Sequence, residues 1–225
     1  MPPAKNKEAC PPCNPVAKPA PETTVRRLLL YFDYLKNLER ENISSPQIAE
    51  HFNFTAIQVR KDIFCTGFTG RPKHGYNRKE LMAHIDNFLG ISNQTDAFLI
   101  GAGNLGRALS SYGGFAKYAL NIVAIGDINA KLHGKKINDK PVFSVQDSLD
   151  LIKKKGIRLA IIAVPAQASQ EVADMLVKAG IRAIWNFSSV RLNCGAEVIV
   201  QNEDLGASLS VLSQKLLVAQ QAGGQ

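Results

Sequence analysis

The chain has 225 residues, of which 45% are hydrophobic and 20% charged, and it carries a formal net charge of +8. That suffices for two modest domains, each with its own core, and no apolar run is long enough to span a bilayer. With no secretory h-region at the N-terminus the cytoplasm is expected, and four scattered cysteines exclude a disulfide framework.

Residues 1–22 form the first segment. Seven of the eleven prolines precede residue 22, and Cys10-Pro11-Pro12-Cys13 sits among them. This composition reads as a disordered tail, because C-x-x-C redox or metal chemistry needs a helix N-terminus or two further ligands. No metal site is expected.

Residues 23–90 predict three short helices and a hairpin. Thr23 or Thr24 caps a helix to about Glu39, with Leu28, Tyr31, Phe32, Leu35 and Leu38 on one face. Ser45 caps a second helix with Pro46 at its first position, where a missing N–H costs nothing. A third helix starts near Thr55, with Gln58, Arg60 and Lys61 outward and Ile57 and Ile63 or Phe64 facing in. Three short helices with a basic third suggest a helix-turn-helix whose third helix enters the major groove. Thr55, Gln58, Arg60 and Lys61 are its candidate DNA contacts, Gln for adenine, Arg for guanine and Lys for phosphate or base. Residues 67–76 are too rich in glycine for a helix and read as a hairpin with Arg71, Lys73 and His74 at its tip, a wing able to touch the backbone or minor groove. Between Asn53 and Lys79 six cations stand against Asp62 alone, the footprint of a polyanion-binding surface. A linking helix over 78–89 turns Leu81, His84 or Ile85, and Phe88 inward. A helical domain with a merely charged surface is the competing reading.

Residues 91–203 alternate strand and helix. Strands are expected at Ala97–Ile100, Ile122–Gly126, Val142–Phe143, Leu159–Val164, Ala183–Trp185 and near Glu197–Val200, and helices at Leu105–Tyr112, Val145–Lys155 and Gln167–Ala179. Such alternation builds a doubly wound parallel sheet with its ligand crevice at the strand carboxyl ends. Gly101-Ala102-Gly103-Asn104-Leu105-Gly106 follows the first strand as Gly-x-Gly-x-x-Gly. Gly101 permits the turn, Gly103 lets backbone N–H groups approach a pyrophosphate, and Gly106 allows helix and strand to pack closely. Asp127, after the second strand, is placed to accept hydrogen bonds from an adenosine ribose, which favours NAD(H) over NADP(H). Lys131, Lys135 and Lys136 downstream read as a solvated loop face. Val164, Pro165 and Asn186 close later strands and should line the crevice.

Residues 204–225 hold a final helix, from about Asp204 to Gln220, with Leu205, Leu209, Leu212 and Leu216 in a narrow seam. The seam covers either the chain's own sheet or a partner subunit. Nothing after the sheet supplies a substrate domain or a positioned acid or base, so an oxidoreductase is disfavoured. The remaining alternative is an NAD(H)- or CoA-binding module without specific DNA binding.

From about Thr24 to Leu217 the chain resembles the Rex family of redox-sensing transcriptional repressors. The resemblance rests on Ala56 to Asp62, Gly75-Tyr76, Gly101 to Leu109, Val164-Pro165-Ala166, Asn186-Phe187-Ser188 and Asp204-Leu205. It implies an α/β chain with a winged-helix domain, a Rossmann-type domain and a C-terminal helix exchanged in a homodimer. It further implies a palindromic operator held with NAD⁺ or no ligand and released by NADH. Carried over by position, Arg27 and Asp204 would pair as an interdomain switch, and Tyr112 would lie near the nicotinamide. The chain departs from the family pattern at Thr66, Lys73, His74, Gly126 and Ser189.

Overall fold

The computed structural model describes residues 20–222, so the Cys10/Cys13 segment lies outside the described residues. Two compact units divide between Gly90 and Ile91.

The first unit comprises α1 (Glu22–Lys36), β1 (Asn42–Ile43), α2 (Ser45–Phe52), α3 (Ala56–Cys65), β2 (Tyr76–Asn77) and α4 (Arg78–Leu89). Pro21 occupies the N-cap of α1, and Thr24, expected as a cap, instead turns its hydroxyl inward to Asp62. The cap of α2 is Ser44, one residue before the expected Ser45. Ser44 and Gln47 exchange hydrogen bonds as a capping box, and that reciprocal pair outweighs what Ser45 alone offers. Asn53, left-handed at φ 55°, ends α2, and Thr55 caps α3 by accepting from the Gln58 N–H at 3.2 Å. Leu28, Tyr31 and Leu35 of α1 pack on Ile48, Val59, Ile63, Leu81 and Ile85 to make the core.

Two expectations fail here. Ile57 and Phe64 are 60% and 68% exposed, while Val59, Asp62 and Ile63 face inward. At 100° per residue the latter three share one side of α3, and Ile57 and Phe64 fall on the opposite stripe with Arg60 and Lys61. The wing is also shorter than a full hairpin. Arg71 and Gly75 form one bridge, with N–H···O bonds of 2.8 and 3.0 Å, and β2 pairs with β1 instead.

The second unit comprises β3 (Thr95–Ile100), α5 (Asn104–Ser111), β4 (Leu120–Gly126), β5 (Lys136–Ile137), β6 (Lys140–Phe143), α6 (Val145–Lys155), β7 (Leu159–Ile162), α7 (Ala166–Lys178), β8 (Ala183–Asn186), β9 (Ile199–Asn202) and α8 (Leu205–Ala222). The sheet runs β5-β6-β4-β3-β7-β8-β9, parallel except for β5 on β6. Counting the parallel strands in chain order gives 3-2-1-4-5-6, the order of dinucleotide-binding sheets, with its reversal between β3 and β7. β5 was not expected. Its signal is the two-residue Asn138-Asp139 loop, with φ 49° and 63°, which the twist of a hairpin favours.

Both sheet faces are covered, as a parallel sheet requires. Phe98, Ile100, Ala160 and Ile162 pack with Ile152 of α6 and Ala173 and Leu176 of α7, whereas Ala97, Leu99 and Ile161 pack with Leu109 of α5 and Phe115. Along α8, Leu209, Leu212 and Leu216 are exposed, so these leucines do not cover the chain's own sheet. The side chain of Leu205 lies outside what the structure describes. No helix among the described residues is long and apolar enough to cross a membrane.

Candidate nucleotide and nucleic-acid sites

The glycine turn leaves β3 at the point where strand order reverses. Gly101 adopts φ +108°, and a Cβ there would collide with the Ala163 carbonyl at the end of neighbouring β7. A Cβ on Gly106 would strike the Gly101 carbonyl, so this glycine sets how closely α5 packs on the turn. At Gly103 a Cβ would meet nothing within 4 Å, leaving the backbone bare toward solvent. Asn104 and Leu105 follow, both exposed, as the first residues of α5, where unpaired N–H groups favour an anion.

Asp127 leaves β4 beside this turn. Its Oδ2 accepts from the Ala102 N–H at 2.6 Å and its Oδ1 from the Asn129 N–H at 2.7 Å. The two bonds fix the carboxylate against the turn and leave each oxygen a further lone pair for a ribose hydroxyl. His133 Nε2 lies 2.8 Å from the Asp127 carbonyl and steadies the same loop. Sequence reasoning missed Arg107, whose Nε donates to the Ala102 carbonyl at 2.9 Å and braces the turn from α5. A long cation directly after Gly-x-Gly-x-x-Gly was its only signal.

A cleft of about 230 Å³ opens between the two strand ends, lined by Gly101, Gly103, Asp127, Ile128, Val145, Val164, Pro165, Ala168 and Val172. Apolar walls with one carboxylate at the rim suit a flat heterocycle joined to a ribose. Val164 and Pro165 thus stand where expected. Asn186 does not line the cleft: it is fully buried, with Nδ2 donating to the Val190 carbonyl and Asn202 Oδ1, and Oδ1 accepting from Ser188 N–H and Oγ. With two donors and two lone pairs all engaged it has no valence for a ligand, and it positions the loop after β8.

Tyr112, just past α5, is 61% exposed and meets Phe115 edge to face at 4.9 Å. Phe115 leads to Trp185 at 5.5 Å and on to Phe187 at 4.9 Å, while Trp185 Nε1 donates to Glu203 at 3.0 Å. An unbroken row of rings therefore connects the end of α5 to the segment that enters α8. Asp204 accepts from the Ala207 N–H at 3.0 Å as a cap on α8.

In the first unit Arg60, Lys61, Arg71 and Lys73 are exposed, with Thr55 at the head of α3 and Gln58 half-buried on its flank. A groove of about 490 Å³ between α3 and the wing is lined by Arg60, Phe64, Arg71, Pro72 and Lys73, together with Ser44, Ser45 and Tyr76, and by no carboxylate. The one carboxylate of α3, Asp62, is turned inward. It accepts from Arg27 Nε and Nη2, both at 2.7 Å, from Tyr31 OH at 2.9 Å and from Thr24 Oγ1 at 3.2 Å. The negative charge is thereby withdrawn from the basic face and used to lock α3 on α1. Arg27 is thus committed to Asp62, where the resemblance implied Asp204; a buried carboxylate 35 positions away holds it with two charge-assisted bonds. The Asp62 hydrogen bond raises the Arg27 guanidinium above its ordinary value, and burial, with Asp62 second, raises the Tyr31 phenol.

Residues 20–63 match the family model described as "Putative DNA-binding protein N-terminus", and residues 92–190 that described as "CoA binding domain". The chain is 43% identical over 192 residues to the redox-sensing transcriptional repressor Rex of Treponema denticola, covering 84% of this chain and 91% of the relative. The crystal structure of RSP in complex with β-NAD⁺ and operator DNA superposes with a TM-score of 0.84 at 35% identity, covering 93% of this chain and 99% of that one. RSP, a Rex-family repressor, in complex with β-NADH gives 0.80 at 36% identity over 92% and 99%. With a dinucleotide turn at the sheet's reversal point, a basic helix and wing, and identity of this extent along nearly the whole chain, the protein belongs to the Rex family of redox-sensing transcriptional repressors.

Proposed function

We propose that this chain is a cytoplasmic DNA-binding repressor that senses the ratio of NADH to NAD⁺, holding a palindromic operator as a homodimer and releasing it when NADH binds. One observation carries the reading. A single chain pairs a carboxylate-anchored dinucleotide turn with a cationic groove from which the nearby carboxylate has been withdrawn. RSP, structurally alike over both regions, is recorded with β-NAD⁺ on operator DNA and with β-NADH.

In this reading Gly101, Gly103, Asn104, Leu105 and Gly106 receive the pyrophosphate, Asp127 the adenosine ribose, and Val164 and Pro165 the heterocycle. Tyr112 lies toward the nicotinamide. Thr55, Gln58, Arg60 and Lys61 take bases and phosphates in the major groove, and Arg71 and Lys73 hold the backbone from the wing. Reduction turns a positive ring neutral, and a site that releases DNA on that change must prefer one conformation by about 5.5 kcal/mol in total, shared between the two cofactors of a dimer.

The test is selection of bound duplexes from a random DNA pool, followed by titration of the best complex with NADH and, separately, NAD⁺. A palindrome released by NADH at concentrations where NAD⁺ does little is the expected result. Binding of NADH with no duplex enriched would leave a cofactor module and end the repressor reading.

A further inference from the structure

Among the described residues of the first unit, three large apolar side chains are exposed: Leu30, Ile57 and Phe64. Two of the three stand on the outward stripe of α3, amid the cations. They are seven residues apart, about 10 Å along the helix axis, with Arg60 and Lys61 between them. Phe64 lines the groove shared with Arg60, Arg71 and Lys73, and Ile57 lies in the depression that holds Gln58 and Lys61. A helix built only to bind phosphate gains nothing from exposed Ile and Phe, which cost hydration in the free protein. The major groove presents one apolar group on its base edges, the 5-methyl of thymine.

We propose that Ile57 and Phe64 read thymine, each packing on a 5-methyl group while Lys61, Arg71 and Lys73 anchor the flanking phosphates. The proposal rests on the operator-binding reading above and adds to it which base chemistry α3 selects. Gln58 and Arg60 recognise polar base edges; Ile57 and Phe64 supply the complementary discrimination against cytosine, which lacks the methyl.

The experiment uses the duplex enriched from the random pool, resynthesised with each thymine in turn replaced by deoxyuridine. This removes one methyl and no hydrogen-bonding group. Binding of the full chain, Ile57→Ala and Phe64→Ala is measured at one salt concentration. Wild type should weaken about fourfold at two thymine positions in each half-site, the loss of one buried methyl apiece. Ile57→Ala should be indifferent to deoxyuridine at one of these positions and Phe64→Ala at the other. Both side chains are exposed, so both variants should fold, and circular dichroism checks that they do. Three results overturn the proposal while leaving operator binding intact: deoxyuridine tolerated at every position, variants as sensitive to it as wild type, or an enriched duplex without fixed thymines. Failure to enrich any duplex would instead remove the operator reading on which the proposal rests.

Discussion

Gly103 and Gly106 stand one helical turn apart and face opposite surroundings. A methyl on Gly106 would enter the Gly101 carbonyl, which is backbone and cannot give way, whereas a methyl on Gly103 meets nothing within 4 Å. Gly106→Ala should therefore destabilise the second unit by about 3 kcal/mol or more and lose NADH through damage to the turn. Gly103→Ala should cost about 1 kcal/mol at most, the difference between Gly and Ala at an N-cap, yet weaken NADH at least tenfold by standing where the pyrophosphate approaches. Melting curves and NADH fluorescence titrations separate the two. Wild-type affinity in Gly103→Ala would mean that the phosphates enter elsewhere. The packing role of Gly106 was legible in the sequence because a glycine's job in this turn is local. The role of Asp62 was not, since its partners Thr24, Arg27 and Tyr31 come from a helix more than thirty positions away. Asn186 misled for the same reason: a polar residue at a strand end looks like a ligand contact until the fold shows its amide fully engaged.

At the scale of elements, the Asp62 cluster fastens α3 to α1 and so fixes how the basic stripe is presented. Removing one partner from a buried ion pair strands the other, and Asp62→Ala should cost the first unit about 3–5 kcal/mol and abolish DNA binding with NADH binding retained. Tyr31 gives a subtler readout. Its phenol is held above its ordinary value of 10.0 by burial first and the Asp62 hydrogen bond second. The unfolded chain releases this proton near pH 10 while the folded unit keeps it, so the Tyr31 contribution is whole below that pH and is lost as pH rises above it. The stability gap between wild type and Tyr31→Phe should be about 1 kcal/mol near neutrality and shrink from pH 9 to 11. Urea midpoints across that range measure it, and a constant gap would show that the hydroxyl is not held as described. Most elements were readable from period and capping signals, and their ends shifted by a few residues where tertiary bonds recruited a cap, as Asp62 did with Thr24. The facing of Ile57 and Phe64 escaped because a ten-residue amphipathic helix with apolar residues on both stripes has no single phase.

For the whole molecule, α8 presents Leu209, Leu212 and Leu216 to solvent, each worth on the order of 1.5 kcal/mol or more when buried, which a second copy can recover. Ending the chain before Leu205 should give a monomer by sedimentation that still binds NADH but holds a palindrome no better than one half-site. A persisting dimer would place the interface elsewhere. A dimer with one NADH site per subunit would face a stricter demand. If NADH and operator act on the same conformational equilibrium, the total coupling between them is reciprocal. Because association constants multiply around the cycle, the factors by which operator weakens the two NADH sites of a dimer should multiply to the ratio in which saturating NADH weakens operator binding. Trp185, the single tryptophan, lies in the ring row reached from Tyr112 and offers a local signal for the first arm, while duplex anisotropy serves the second. A product different from that ratio would mean that NADH releases DNA through a step outside this equilibrium.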